Sequence, residues 1–502
     1  MKKFIYSIFV ITALVGGLCS CNSSFLDTKP TDAVPAADAM TTIEDAAVAA
    51  NGVYTPLKYY TMYSSYFAVF GDVRADSMYP AKREQGYKVI YQLDFDKVQN
   101  TYFGSFWKGY YETINYCNTF LANIAPLQDK YKQDEESTAK INNLIGEVLA
   151  VRALCYFDLA RFYGYPYLKD KGASLGAVIV TEPILPADAK QLSRSTVAAT
   201  YDQVLADMNK ACSLLSKEKK TGHFNYWSAT GMLAKIHLYM GNYSDALKEC
   251  ETIINGVGTA HSYELVSRQN YIEYWGHEGQ PETLLEFVVS LKGDLDEDGG
   301  FYTLYQDMHF STDNADNDGH CVVPTKKLVE SYSETDIRST MCQEYIVKGE
   351  VEEIWLNKFP GNKDRNFTFR RNNAMVLRMS DVYLMAAEAA LQTGKGSKAS
   401  DYVFEVASRR DTKAEEIGED ITLDDILLER FKEFPAEGQR FFDVLRNGKA
   451  IHHDYNYDSQ DYIARDQPGY VYDVDWNNNK VVLPIAQNEI AIHPNLQQNP
   501  GY

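Results

Sequence analysis

The chain has 502 residues, 45% hydrophobic and 24% charged, enough for one large core or a few domains. Asp and Glu number 69 against 49 Lys and Arg, a net charge of −20, which excludes nucleic acid as a general partner. Tyrosine is in excess, 37 residues against 23 Phe and 5 Trp, and it suits surfaces that are apolar and hydrogen-bonding at once.

Residues 1–20 read as an export signal: Lys2 and Lys3 precede an apolar run from Phe4 to Val15 that is too short to be a permanent span. The sequence Leu18-Cys19-Ser20-Cys21 resembles a bacterial lipobox, which makes Cys21 the lipidated first residue of the mature protein. An ordinary secretory peptide is the alternative. Cleavage removes the two lysines and takes the net charge from −20 to −22. Residues 21–40, polar and holding Pro30 and Pro35, read as a tether. The six remaining cysteines contain no CxxC pair, so neither a zinc site nor a disulfide scaffold fits, and Cys155, Cys212 and Cys250 read as buried thiols on helix faces.

Leu144, Val148, Val151, Cys155, Leu159 and Phe162 recur at steps of three and four and predict a long helix over 143–162. Tyr201, Val204, Leu205, Met208, Cys212 and Leu215 predict a second. A helix–turn–helix pair follows, with Ser228 as cap, Gly241-Asn242 as the break, Ser244 as the second start and Asn255-Gly256 as the stop. Another pair opens at Ser380, breaks at Gly394 and Gly396, and restarts at Ser397. Small residues at the crossings, Ala234, Ala246, Ala387 and Ala399, make both pairs similar to tetratricopeptide repeats. The expected fold is mostly α, a scaffold of tetratricopeptide-like helix pairs with long irregular, loop-rich insertions that carry the ligand surface. The pairs lie too far apart in sequence for a regular solenoid. A helical part over 41–260 and a C-terminal part over 261–502 form one compact unit.

The insertions hold much of the aromatic excess. Trp107, Tyr110, Tyr111, Ile114 and Cys117 lie on one predicted helix, and those aromatics read as core. Tyr79, Tyr87 and Tyr91 stand among glycines and charges, and Tyr274, Trp275 and Tyr302 form a second set that reads as exposed. These six are the candidate ligand-binding residues, since loop aromatics beside amides and carboxylates stack on neutral sugar rings; core packing is the competing reading for each. Asp294, Asp296 and Asp298, and Asp316 with Asp318, place oxygen ligands at alternate positions before a Gly, as in the first half of a calcium loop. Position twelve is Tyr305 or Thr325 instead of Glu, so a solvated acidic loop is the better reading and calcium the alternative. No metal or other cofactor is otherwise implied. No nucleophile elbow, phosphate loop, HExxH or dinucleotide motif is present, so no catalytic residue is assigned, although two carboxylates brought together by the fold would suffice for a glycosidase.

In order along the chain stand Cys21 with Phe25-Leu26-Asp27 and Pro30; Asn51-Gly52-Val53-Tyr54; Gly71-Asp72 and Asp76; Trp107, Tyr110 and Asn118; and Glu147, Arg152 and Tyr156-Phe157. The C-terminal third adds Arg378, Ala387-Glu388-Ala389, Glu429-Arg430, Glu433-Phe434, Glu437-Gly438, Arg440-Phe441-Phe442-Asp443 and Arg446, and the ending Gln498-Asn499-Pro500-Gly501-Tyr502. In this order the motifs resemble the SusD/RagB outer-membrane lipoproteins of Bacteroidetes. The resemblance implies a non-enzymatic protein of the cell outer membrane, lipid-anchored and facing outside. Such a protein captures oligosaccharides, or in RagB-like members peptides, for a SusC-like TonB-dependent transporter. A lipid-anchored glycoside hydrolase and a periplasmic assembly scaffold are the competing classes. The acids and bases from Glu429 to Arg446 read as a partly buried ion-pair network on a helix and its continuation.

Overall fold

In a computed structural model the described residues are 40–59, 61–81, 87–95, 103–184, 189, 191–260, 263–289, 322–347, 350–365, 372–453, 455–456, 461–462 and 473–502. The main helices are α1 (Ile43–Gly52), α2 (Tyr66–Asp72), α3 (Phe103–Asn123), α4 (Glu135–Tyr163), α5 (Val197–Leu214), α6 (Tyr226–Met240), α7 (Tyr243–Ala260), α8 (Met379–Gln392), α9 (Gly396–Ala407), α10 (Leu423–Glu433), α11 (Arg440–Arg446) and α12 (Gln487–Ile492). Strands come in short antiparallel pairs: β1 (Met78–Pro80) with β3 (Val322–Pro324), β2 (Thr283–Phe287) with β6 (Ala374–Arg378), and the hairpin β4 (Cys342–Val347) to β5 (Glu350–Leu356). The mostly helical expectation holds.

Helix α4 begins earlier than its apolar stripe. Asp134 caps it by accepting the amides of Glu136 and Ser137, and Glu135 and Glu136 complement the helix dipole. The cap of α6 is Asn225, three residues before the expected Ser228. Ser228 is instead the third helical residue of a reciprocal capping box with Asn225. Helix α7 runs through Gly256 because that position faces Trp227 of α6, where a Cβ would come within 2.5 Å of the indole. Gly256 therefore allows close helix packing and does not end the helix. Helix α8 has no side-chain cap, since Ser380 turns inward and donates to Glu282 at 2.7 Å.

All four crossing alanines are fully buried. Helix α4 packs on α5, α6 on α7, α7 on α8 and α8 on α9. The two sequence-distant pairs are therefore neighbours in one stack, and β6 delivers the chain directly into α8. Helix α2 touches α11. Gly71 lies so close to Gly438 that a Cβ would sit 2.1 Å from the Gly438 carbonyl oxygen.

The ion-pair network is buried except at Arg440, which is partly exposed, and its partners come from far along the chain. Glu433 binds Arg378 at 2.6 Å, Arg338 at 2.8 Å and Arg410 at 3.2 Å. Glu282 binds Arg378 and Arg410, Glu437 binds Arg378 and Lys358, and Glu429 binds Arg338. Arg430 joins Asp381 to Asp443, Arg440 holds Asp76, and Arg446 pairs with Glu388 and Asp443. Residues 434–439 break the helix between α10 and α11, with Ala436 and Gly438 at positive φ, so the expected single helix with its continuation is two helices joined by a tight turn.

Candidate functional site

Five of the six aromatic candidates are buried, with 3–8% of their surface exposed: Tyr79, Tyr87, Tyr91, Tyr274 and Trp275. Their flanking glycines and charges suggest exposure, but short-range pairing draws the rings inward. Tyr79 lies in β1 opposite Val323, and Tyr91 stacks on His453 with centroids 4.5 Å apart. Tyr274 shares a 2.8 Å hydrogen bond with Thr283. Trp275 packs edge-on to Tyr274 and Phe359 and has the Lys358 ammonium 4.5 Å from its ring centroid. None of these five offers an open ring face for stacking. Tyr302, the acidic positions Asp294, Asp296, Asp298, Asp316 and Asp318, and Cys21 lie outside the described residues. Among the described residues no group of three or more His, Cys, Asp or Glu is placed to hold a metal ion.

The carboxylates of the ion-pair network, Glu433 and Asp381 among them, are buried against arginine and lysine side chains and have no access to a substrate. Burial alone would push the Glu433 carboxyl up, but Arg410, Arg378 and Arg338 override it and hold it well below the usual carboxylate range. Burial likewise works against Asp381, yet Lys235 and Arg430 keep its carboxyl low. These groups lock three parts of the chain together and are unsuited to proton transfer near neutral pH.

A groove of about 390 Å3 runs along α3, within the size range of small-ligand sites. Its floor is the helix face Trp107, Tyr111, Ile114 and Asn118, at steps of four, three and four. Trp107 and Tyr111 form a tilted ring pair with centroids 4.8 Å apart, and Tyr163 closes edge-on against Trp107. The same helix carries Lys108, Glu112 and Asn115 along the rim.

The second wall is the extended segment 178–184, which lies in no sheet and has the backbone groups of Val178 and Val180 bonded by side chains. The Tyr111 hydroxyl accepts the Val178 amide at 2.7 Å, and the Tyr156 hydroxyl accepts the Val180 amide at 2.8 Å. Asn118 donates to the carbonyls of Val180 and Glu182, while its own oxygen accepts from Arg152, which Asp207 holds in a two-bond fork. Val178, Val180 and Ile184 are thereby presented to the groove as apolar side chains.

The third wall is α12 and the turn beyond it, with Glu489, His493 and Leu496. A buried joint fixes this end of the chain. Arg194 donates to the carbonyls of Tyr163, Gly176 and Leu175 and to the Asn499 side chain, and Asn499 donates to Tyr163 and Leu483. The closing motif at residues 498–502 is therefore a structural clamp.

Residues 340–502 match the model of the SusD family, and residues 24–238 match a family model described as starch-binding and associating with the outer membrane. A solved structure of a SusD superfamily protein from Bacteroides vulgatus is 30% identical and superimposes with a TM-score of 0.78 over 92% of this chain and 99% of that one. SusD-like protein P38 of Formosa agariphila is 22% identical over the full length of both chains. A structure of a laminarin-binding SusD-like protein shares the fold at 22% identity and a TM-score of 0.67, over 91% of this chain and 99% of that one. No helix among the described residues is long and apolar enough to cross a membrane.

Proposed function

Because the chain belongs to the SusD family, we propose that it is a lipoprotein anchored through Cys21 to the outer face of the outer membrane. There it captures oligosaccharides and delivers them to a SusC-like TonB-dependent transporter without cleaving them. One observation carries the reading: at 30% identity the alignment runs through 99% of a SusD superfamily structure, so the whole fold is shared. A family model described as starch-binding and a laminarin-binding neighbour support a glycan as ligand. The charge of −20, and −22 after cleavage, favours neutral glycans over sulfated or uronic chains.

Affinity electrophoresis of the mature chain in gels containing neutral polysaccharides, with chromatography of the same mixtures, tests the reading. Retarded migration without new products is expected. Accumulating products would make the protein a hydrolase, and retention of peptides alone would make it a peptide carrier.

A further inference from the structure

We propose that Tyr59 and Tyr116 form an exposed aromatic platform on which a neutral sugar unit stacks, beside a second groove, between α1 and α3, that takes the neighbouring unit. The inference rests on the glycan-binding reading and gives it a place on the molecule. Among the described side chains two aromatic rings are exposed, Tyr59 at 37% and Tyr116 at 43%. Single exposed rings need no explanation, but two that adjoin form a patch, and such patches mark binding surfaces. These two adjoin. The turn Pro56–Lys58 packs on α3 and leads directly into Tyr59. The Tyr116 hydroxyl is held above its ordinary range first by its bond to Glu112 and, further down, by the neighbouring Tyr59 hydroxyl.

Tyr116 is held without being covered. Its hydroxyl donates to Glu112, one turn earlier on α3, at 2.9 Å, which anchors the polar tip and leaves the ring in solvent. From Tyr116 a groove of about 240 Å3 runs between Ala49 and Gly52 of α1 and Thr119 and Asn123 of α3. A Cβ added at Gly52 would meet nothing within 4 Å, so this side of the groove is open. Asn123 donates its amide to the Thr119 carbonyl at 2.8 Å, which keeps the side-chain oxygen as an acceptor. Open rings flanked by hydroxyls, a carboxylate and an amide match the apolar C–H face and hydroxyl rim of a saccharide. The Glu112 carboxylate accepts a neutral hydroxyl but disfavours a sulfated chain or an anionic lipid headgroup. A stable protein partner covers roughly 800 Å2 on each side, a far broader surface than two rings and a short groove.

The test titrates the mature chain and four variants with laminari-, malto- and xylo-oligosaccharides. Tyr59→Ala and Tyr116→Ala each remove a ring, Tyr116→Phe keeps the ring without its hydroxyl, and Gly52→Phe fills the groove from the exposed end of α1. Thermal melting checks that the variants keep their fold. Roughly tenfold weaker binding is expected in both alanine variants and in Gly52→Phe, as for the loss of one aromatic contact, and near wild-type affinity in Tyr116→Phe. Equal affinity in wild type, both alanine variants and Gly52→Phe overturns the platform and leaves the glycan-binding reading standing. Equal losses in Tyr116→Phe and Tyr116→Ala overturn stacking on the ring. Absence of glycan binding in the wild type overturns the glycan-binding reading and this inference together. Binding to phosphatidylcholine vesicles that Tyr116→Ala abolishes while glycan affinity stays constant assigns the face to a lipid surface and also overturns it.

Discussion

Arg378 and Glu433 meet at 2.6 Å with no exposed surface on either side chain. The pair joins the end of β6 to the end of α10, and the same guanidinium also reaches Glu282 and Glu437. Burying one such pair is costly, but a group whose every lone pair and proton is matched is costlier to break than to keep. Glu433→Gln is therefore expected to lower unfolding stability by about 3–5 kcal/mol, as for the loss of one partner in a buried ion pair, read as the midpoint of denaturant unfolding at neutral pH.

The same network sets the acid limit. The carboxyls of Glu433, Asp381 and Asp76 are all held below their ordinary range by the cations around them, against the opposing effect of burial. A group lowered in this way contributes stability above its unfolded value, about pH 4 to 4.5, and loses it as pH falls further. Wild-type stability should drop steeply below about pH 4.5, and Glu433→Gln should show a shallower drop.

Asp72 behaves in the opposite sense. Burial raises its carboxyl to about 7, although the Gly438 amide donates to it at 2.7 Å and one of its oxygens has no partner. The stability it supports is complete below about pH 4 and is lost as pH rises through about 7. Asp72→Asn should match wild type near pH 4 and exceed it at pH 8. The ceiling on that gain is about 4 kcal/mol, for a displacement of about three pH units. Melting temperatures at the two pH values check this.

Gly71 and Gly438 define the closest approach of α2 to the turn before α11. Gly71→Ala drives a methyl into the Gly438 carbonyl and should cost more than about 3 kcal/mol or prevent folding, the upper end of overpacking effects. Gly52→Ala, where nothing lies within 4 Å, should be neutral or stabilising by up to about 1 kcal/mol. Soluble yield and melting temperature of the two variants separate the cases.

Asn499→Ala removes one acceptor of Arg194 and one of the two donors to the Tyr163 carbonyl, and it strands the carbonyl of Leu483. Each stranded buried group costs about 1–3 kcal/mol, so the melting temperature should fall and hydrogen exchange around residues 487–499 should accelerate.

Local features were the most legible in the sequence. The stripe from Leu144 to Phe162 and the crossing alanines state helices and their buried faces directly, because period and burial are local properties. Caps and stops were less so: Asn225 and Ser228 are both good cap residues, and Gly256 reads as a terminator unless Trp227 is known to lie against it. Partners distant in sequence, such as Arg338, Arg410 and Glu282 around Glu433, carry no periodic signal. The aromatic candidates failed for a related reason. Glycines and charges beside Tyr79 and Tyr274 mark loops, but only the tertiary pairing of β1 with β3 and the packing around Thr283 decide that those loops turn inward. The groove needs α3, residues 178–184 and residues 489–496 together. Trp107 therefore reads as core from sequence, which its 5% exposure bears out, while its edge lines the cavity.

Calorimetric titration of the mature chain with a panel of neutral oligosaccharides, sulfated glycans and peptides is the most direct measurement. Saturable binding of a neutral glycan, weaker or no binding of its sulfated form, and no heat from peptides are expected. Binding of peptides with no response to any glycan would contradict it.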